Sequence, residues 1–374
     1  MSSVNNLVNP AVSVSGEVDT LLIEKFDGQV KLAYKEMVNM MRYFDLKEVV
    51  GTNSVSNKYM GTTQVQGLAP GADVKGTQVE FDKNQLVIDT VVIARNNVGI
   101  LADVQDDINT KGKLAVDQVE QLGMMEDRML IQQIAYGAIK NTSAKRTKPR
   151  VRGHGFSVDV KVKEETMEYP NAVQASLEAV LEAMVKQNVP IQKIAAIMDW
   201  TYFNTLRDAE RIVNATYTTA SGTTVNGFVL KSYNLPIIPT NQMPNKGRDQ
   251  QDLDGNTSEH HLLSNANNGY RYDVISGKDN DDNMDNVVAV LFGSEGLMVG
   301  RSISLQGKIW MNDNNKTWYI DSWMSEGAIP DRWEHLGIVR VVRDNKASED
   351  IAVRKRANRK VVPVSNTPLA TSSL

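Results

Sequence analysis

The chain has 374 residues, 41 basic against 45 acidic for a formal net charge of -4, and no cysteine. That length supports two or three domains around a sizeable core. The missing cysteine excludes disulfides, thiolate metal sites and cysteine nucleophiles, and the charge balance excludes a chain built as a whole to grip a polyanion. No apolar run reaches the ~18 residues that span a bilayer. The first basic residue is Lys25 and no apolar stretch follows Met1, so neither a membrane segment nor a signal peptide is read. The expectation is a soluble product made in the cytoplasm.

Residues 1–15 are rich in Ser, Asn and Val without periodicity and read as an extended arm. Residues 17–37 place Val18, Leu21, Leu22, Phe26 and Gln29 on one side of a helix that Gly28 could bend. Residues 40–50 are a mixed apolar run of uncertain type. A projecting hairpin follows. Its first strand starts at Lys58, and its turn is Gly67, Leu68, Ala69, Pro70, Gly71, where Pro presets φ and Gly accepts positive φ. Gly76 adds a second flexible point. Residues 78–93 alternate as one long returning strand. A two-stranded hairpin alone is marginal in water, so one this long with a polar tip is expected to lean on another molecule.

An acidic turn at 103–109 and a break at Lys111-Gly112 lead into a long helix from about Lys113. Leu114, Gln118, Leu122, Met125, Met129 and Tyr136 share one face. Val116, Val119, Gly123, Leu130 and Ile134 form a second stripe beside it, so the helix is predicted to be covered on more than one side. Gly123 costs about 1 kcal/mol against Ala in a helix, which marks it as a candidate close approach. Residues 141–152 are basic and irregular, and 158–162 form a short strand. A new domain starts near Tyr169-Pro170, with a helix over 171–188, a buried strand at 194–198, and a helix from Trp200 capped by Asp199. A hairpin around Ser221-Gly222, a strand at 235–239 and a buried strand at 287–292 complete an α/β layer. Residues 245–286 read as a long surface loop. Residues 303–311 and 316–324 form a long hairpin, and 337–342 form the last strand. The tail from 351 is basic and then Ser/Thr/Pro-rich, and reads as loose.

Catalytic motifs are absent from this pattern. No phosphate loop occurs, and Gly153-His154-Gly155 lacks the third glycine of a dinucleotide turn. Gly293 to Gly296 has the wrong spacing for a nucleophile elbow. His154, His260, His261 and His335 sit at no zinc-ligand spacing. Asp279, Asp281 and Asn283 begin a calcium-type loop, but Met284 stands where Gly is needed and Val290 where a bidentate Glu is needed. Arg354 to Lys360 carries charge without interleaved aromatics, so ordinary solvated charge or a salt bridge to another copy is favoured over a single-strand platform. Trp310, Trp318, Trp323 and Trp333 read as core or interface anchors. No enzyme, cofactor or metal is therefore expected.

The order of elements resembles the major capsid proteins of short-tailed bacteriophages, and through them the HK97-like capsid fold. The residues that carry this are Phe26-Asp-Gly28, Gly67 to Gly71, Val87-Ile-Asp-Thr90 leading into Asp103-Val-Gln-Asp106, Gln121-Leu-Gly123, and Gly327-Ala-Ile-Pro-Asp-Arg332. The family's late segment usually reads closer to Gly-x-Arg-Pro-Glu, so fine contacts are not carried over there. The resemblance implies an α+β chain with an N-terminal arm (1–57), an extended loop (58–95), a peripheral domain with a spine helix (96–168 and 301–350), an axial domain (169–300) and a tail (351–374). The peripheral sheet would contain the 303–324 hairpin and the 337–342 strand. It implies a shell of hexamers and pentamers around packaged double-stranded DNA, located in the virion, with a scaffolding protein and a portal as partners and no membrane. Gly67, Leu68, Pro70, Gly71, Gly76 and Gly123 are the candidate assembly contacts. The alternative is an encapsulin-type shell of a cellular nanocompartment holding cargo enzymes.

Overall fold

Residues 110–140 are dominated by Ala, Leu, Met, Gln and Glu, all good helix formers, and they fold as one helix, α1 (Thr110–Lys140), of 31 residues. At 1.5 Å per residue it is about 46 Å long, enough to cross two sheets. The computed structural model describes residues 40–60, 65–73, 76, 81–101, 110–142, 155–218, 224–243, 284 and 286–342. The expected helix at 17–37, the acidic turn at 103–109, most of the basic segment at 141–152, the calcium-type loop and the tail lie outside the described residues.

Four strands make the first sheet, in the order β1 (Leu46–Glu48), β11 (Leu297–Asn312), β12 (Thr317–Pro330), β4 (Val92–Gly99). Short β1 lies parallel to β11, while β12 is antiparallel to both its neighbours. The N-terminal half of α1 covers this sheet: Ala115, Val119 and Leu122 pack on Leu305, Ile309, Ile320 and Met324. Gln118 sits inside this seam, almost fully buried. It donates to the Ile320 carbonyl at 2.8 Å and accepts from the Ser322 hydroxyl at 2.8 Å. That explains a polar residue on an apolar stripe: its amide satisfies groups that water cannot reach.

Seven strands make the second sheet, in the order β5 (Val158–Lys163), β13 (Leu336–Val342), β10 (Val287–Gly293), β6 (Ile194–Asp199), β9 (Leu235–Thr240), β8 (Thr224–Leu230), β7 (Ile212–Thr218). It is covered on both faces. The C-terminal half of α1, from Met129 to Ile139, packs on Ile197, Val290, Phe292 and Ile338. On the opposite face lie α3 (Pro170–Val185) and α4 (Trp200–Asp208), against Ala196, Met198, Leu291 and Val339. The short α2 (Glu164–Met167) leads into α3. Two covered faces are why β6 and β10 read as unbroken apolar runs. Asp199 caps α4 by accepting the Thr201 N–H at 2.9 Å, as expected.

Two expectations are corrected. The strand at 337–342 does not join the 303–324 hairpin. It pairs with β10 and with β5, both in the seven-stranded sheet, because its consecutive residues Ile338 and Val339 face opposite sides and each meets an apolar layer. The run 78–93 is not one strand. β3 (Phe81–Val87) pairs with β2 (Ser54–Met60), whereas β4 leaves for β12. Between them Ile88 is buried with Leu86, Val49 and Met298, which turns the chain inward.

Candidate assembly surface

The hairpin of β2 and β3 forms a two-stranded sheet of its own. Its root is fixed by polar contacts. Asn57 and Asn84 face each other across the ladder, and both reach Asp331, which lies just beyond the end of β12. Asn57 Nδ2 donates to Asp331 Oδ2 at 2.7 Å. Asn84 Nδ2 donates to Asp331 Oδ1 at 3.2 Å and to the Pro330 carbonyl at 2.9 Å. From β1, Lys47 Nζ donates to Asn57 Oδ1 at 2.6 Å. Burial raises the Asp331 carboxyl, while the Asn57 hydrogen bond and nearby Lys47 and Arg332 oppose that. Below this clamp Leu86, Ile88, Val49 and Met298 form a small apolar cluster. A cleft of about 300 Å³ opens beside the root, lined by Lys47, Lys58, Tyr59, Glu295 and Arg332 among others.

Beyond the root, several described apolar residues of the hairpin are open. Phe81 is 74% exposed and Val65 99% exposed, and Met60 and Leu68 are open as well. The tip turn is formed as expected. Ala72 N–H donates to the Ala69 carbonyl at 3.0 Å, with Pro70 second and Gly71 third at φ +85°; this is the type II pattern, in which position three needs a residue tolerant of positive φ. Among the described residues, no atom outside the immediate chain neighbours lies within 4 Å of a Cβ built at Gly67, Gly71 or Gly76.

Gly123 is separate from them, buried in α1. A tight crossing on α1 lies at Gly137, which sequence reasoning passed over. A Cβ there would lie 2.6 Å from Leu336 Cδ1 and 2.8 Å from Pro330 Cβ. Asp331, Asn57 and Asn84 were missed too, since nothing local marks two asparagines in an arm as partners of a residue some 250 positions later.

A second polar group sits behind the arm root. Glu295 is held between Lys193 Nζ and Arg332 Nε, each at 3.2 Å. Burial pushes its carboxyl up, but these two cations bring it below the usual range. His335 lies nearby and is pushed down to about 4, chiefly by burial. On the outer face of the four-stranded sheet Trp310 stacks on Tyr319 at 4.5 Å between centroids. Arg95 lies over both rings and binds Asp321, so this Trp is an anchor within its own sheet.

No protein-family model and no curated protein matches the chain. Among solved structures it is similar to the capsid of cyanophage P-SCSP1u, at 13% identity over 82% of this chain and 89% of that one, with a TM-score of 0.62. It is similar to the mature capsid of bacteriophage PhiM1, at 15% identity over 82% and 88%, with a TM-score of 0.57. A structure of Mycobacterium phage Che8 matches at 11% identity over 82% and 90%, with a TM-score of 0.50. The fold is thus α+β of the HK97-like capsid type: one long helix lying across two sheets, with a free hairpin arm.

Proposed function

We propose that this chain is a major capsid protein whose copies close as hexamers and pentamers into an icosahedral shell around a double-stranded DNA genome. The observation that carries this reading is the arm. Its root is fixed by Asp331 and an apolar cluster, while Met60, Val65, Leu68 and Phe81 are presented to solvent. Exposed apolar side chains grouped on one projection mark an interaction site, and a rigid root aims that site away from its own body. In this reading residues 54–87 are the extended loop, which lies over an adjacent copy. The four-stranded sheet with the first half of α1 is the peripheral domain, and the seven-stranded sheet with α3 and α4 is the axial domain at the centres of the hexamers and pentamers.

Short-tailed phage morphology, a scaffolding protein and a portal belong to the same proposal, and structural work replaces catalysis in it. The shell assembles in the host cytoplasm and resides in the virion. Negative-stain images of the purified chain, alone and with its candidate scaffold, test the assembly. Closed particles are expected, and a monomer under every condition would overturn the reading. Nuclease-protected DNA in particles from infected cells supports the viral shell; particles filled with an enzyme instead would assign the chain to a cellular compartment.

A further inference from the structure

Residues 331–335 connect β12 to β13, and Asp331 at their start clamps the arm root through Asn57 and Asn84. His335 at their end closes the short 3-10 turn Trp333–His335 and is only 5% exposed. The stretch is docked on one backbone turn, residues 293–296, directly after β10. The Asp331 N–H donates to the Gly296 carbonyl at 2.8 Å and the Arg332 N–H to the Glu295 carbonyl at 3.3 Å. The turn itself is closed by the Gly296 N–H on the Gly293 carbonyl at 2.9 Å.

The His335 ring is seated on the same turn. A Cβ built at Gly293 would collide with its Nδ1, so only glycine leaves room for the ring. Nδ1 is closed off from solvent and has no hydrogen-bond partner among the described residues. Whichever nitrogen holds the proton of the neutral ring, the imidazolium carries an N–H at Nδ1, and that N–H meets no acceptor here. A charged donor left unmatched in the interior is costly, so the seat fits the neutral ring. The charged groups around it are Glu295 on the turn, Lys193 at the end of Ile191–Lys193, and Arg332 on the same stretch. Glu295 is already held between those two cations, at 3.2 Å from each. Glu334 lies 4.0 Å from Arg332.

We propose that His335 is an acid-sensitive latch on the arm: protonation expels its ring from the Gly293 seat, loosens residues 331–335 from the 293–296 turn and so withdraws Asp331 from Asn57 and Asn84. The latch stands on contacts within one chain. Only its consequence for shells, arms released in acid, rests on the reading of the arm as the assembly element.

The sign follows from linkage. Burial holds the ring down to about 4 against an ordinary 6.5, with Glu295 opposing and Arg332 and Lys193 adding to the shift. A depressed value favours the closed latch fully above 6.5, and that preference is lost as pH falls through 4. Within that interval the opened fraction rises about tenfold for each unit of pH lost. Hydrogen exchange of the full chain tests this, read in β2 and β3 with α3 as the reference, from about pH 7 to about pH 4.5. Wild type is expected to exchange faster in β2 and β3 toward acid by up to that factor, and His335→Gln to stay flat. Asp331 and Glu295 titrate in both chains and cancel in the comparison. Equal acceleration in both chains, or none in wild type, would overturn the latch. If His335→Gln does not fold, His335→Leu takes its place with the same expectation. Asp331→Ala, whose clamp is already gone, is expected to exchange fast at every pH; an acid acceleration kept there overturns the route through Asp331. A chain that never forms shells would sink the proposed function and leave these exchange rates readable.

Discussion

Asp331 organises the arm root because one carboxylate can accept from several donors at once. Asn84 is buried and would keep only its bond to the Pro330 carbonyl, so losing Asp331 leaves one amide donor unsatisfied in the interior, at about 1–3 kcal/mol. Asp331→Ala is expected to lower the unfolding free energy by that amount, with a lower melting midpoint, and to speed proteolysis within residues 54–87; an unchanged digestion pattern would remove the clamp role. His335 offers a second check at this scale. Its folded value lies near 4 against an ordinary 6.5, chiefly through burial, so the neutral ring is the one that fits. A depressed value contributes stability that is full above 6.5 and is lost as pH falls toward 4. His335→Gln is expected to lose less thermal stability than wild type across that acid interval. Equal losses in melts at stepped pH would place the acid sensitivity elsewhere.

At the scale of elements, α1 is the member that both sheets share. Its burial is one-sided under the first sheet and nearly complete from Met129 to Ile139. Gly137 sets how close it comes to the junction of β12 and β13. Alanine there would gain about 1 kcal/mol of helix propensity yet overpack a crossing already filled by Pro330 and Leu336, at roughly 1–3 kcal/mol. Gly137→Ala is therefore expected to destabilise the chain by about 1 kcal/mol in urea unfolding, and a stabilised variant would show that the crossing yields. The split between β3 and β4 belongs to this scale as well. Alternation runs through both, and only the inward turn of Ile88 separates an arm strand from a body strand.

At the scale of the whole molecule, the proposed function assigns assembly to the arm. Deleting residues 68–76 removes Leu68 and the Pro70–Gly71 turn but none of the root contacts. The expected result is a folded, soluble chain, with an unfolding midpoint close to wild type, that fails to close shells in electron micrographs. Normal shells from that deletion would remove the arm from assembly. Removing residues after Lys346, beyond β13, is expected to leave shell formation intact; loss of shells would make the tail a contact.

Local chemistry was enough for α1, for the buried strands β6 and β10, for the Asp199 cap and for the Pro70–Gly71 turn. Each depends on periodicity, propensity or turn geometry within a few residues, and so each is legible in one dimension. The order of these elements also pointed to the capsid-type fold. Tertiary structure decided the rest: the sheet that β13 joins, the end of the arm at residue 87, the crossing at Gly137 and the Asp331 clamp. These are pairings between residues up to about 275 positions apart. What makes them favourable is burial and mutual hydrogen bonding, which no stretch of chain possesses until its partner has been folded against it.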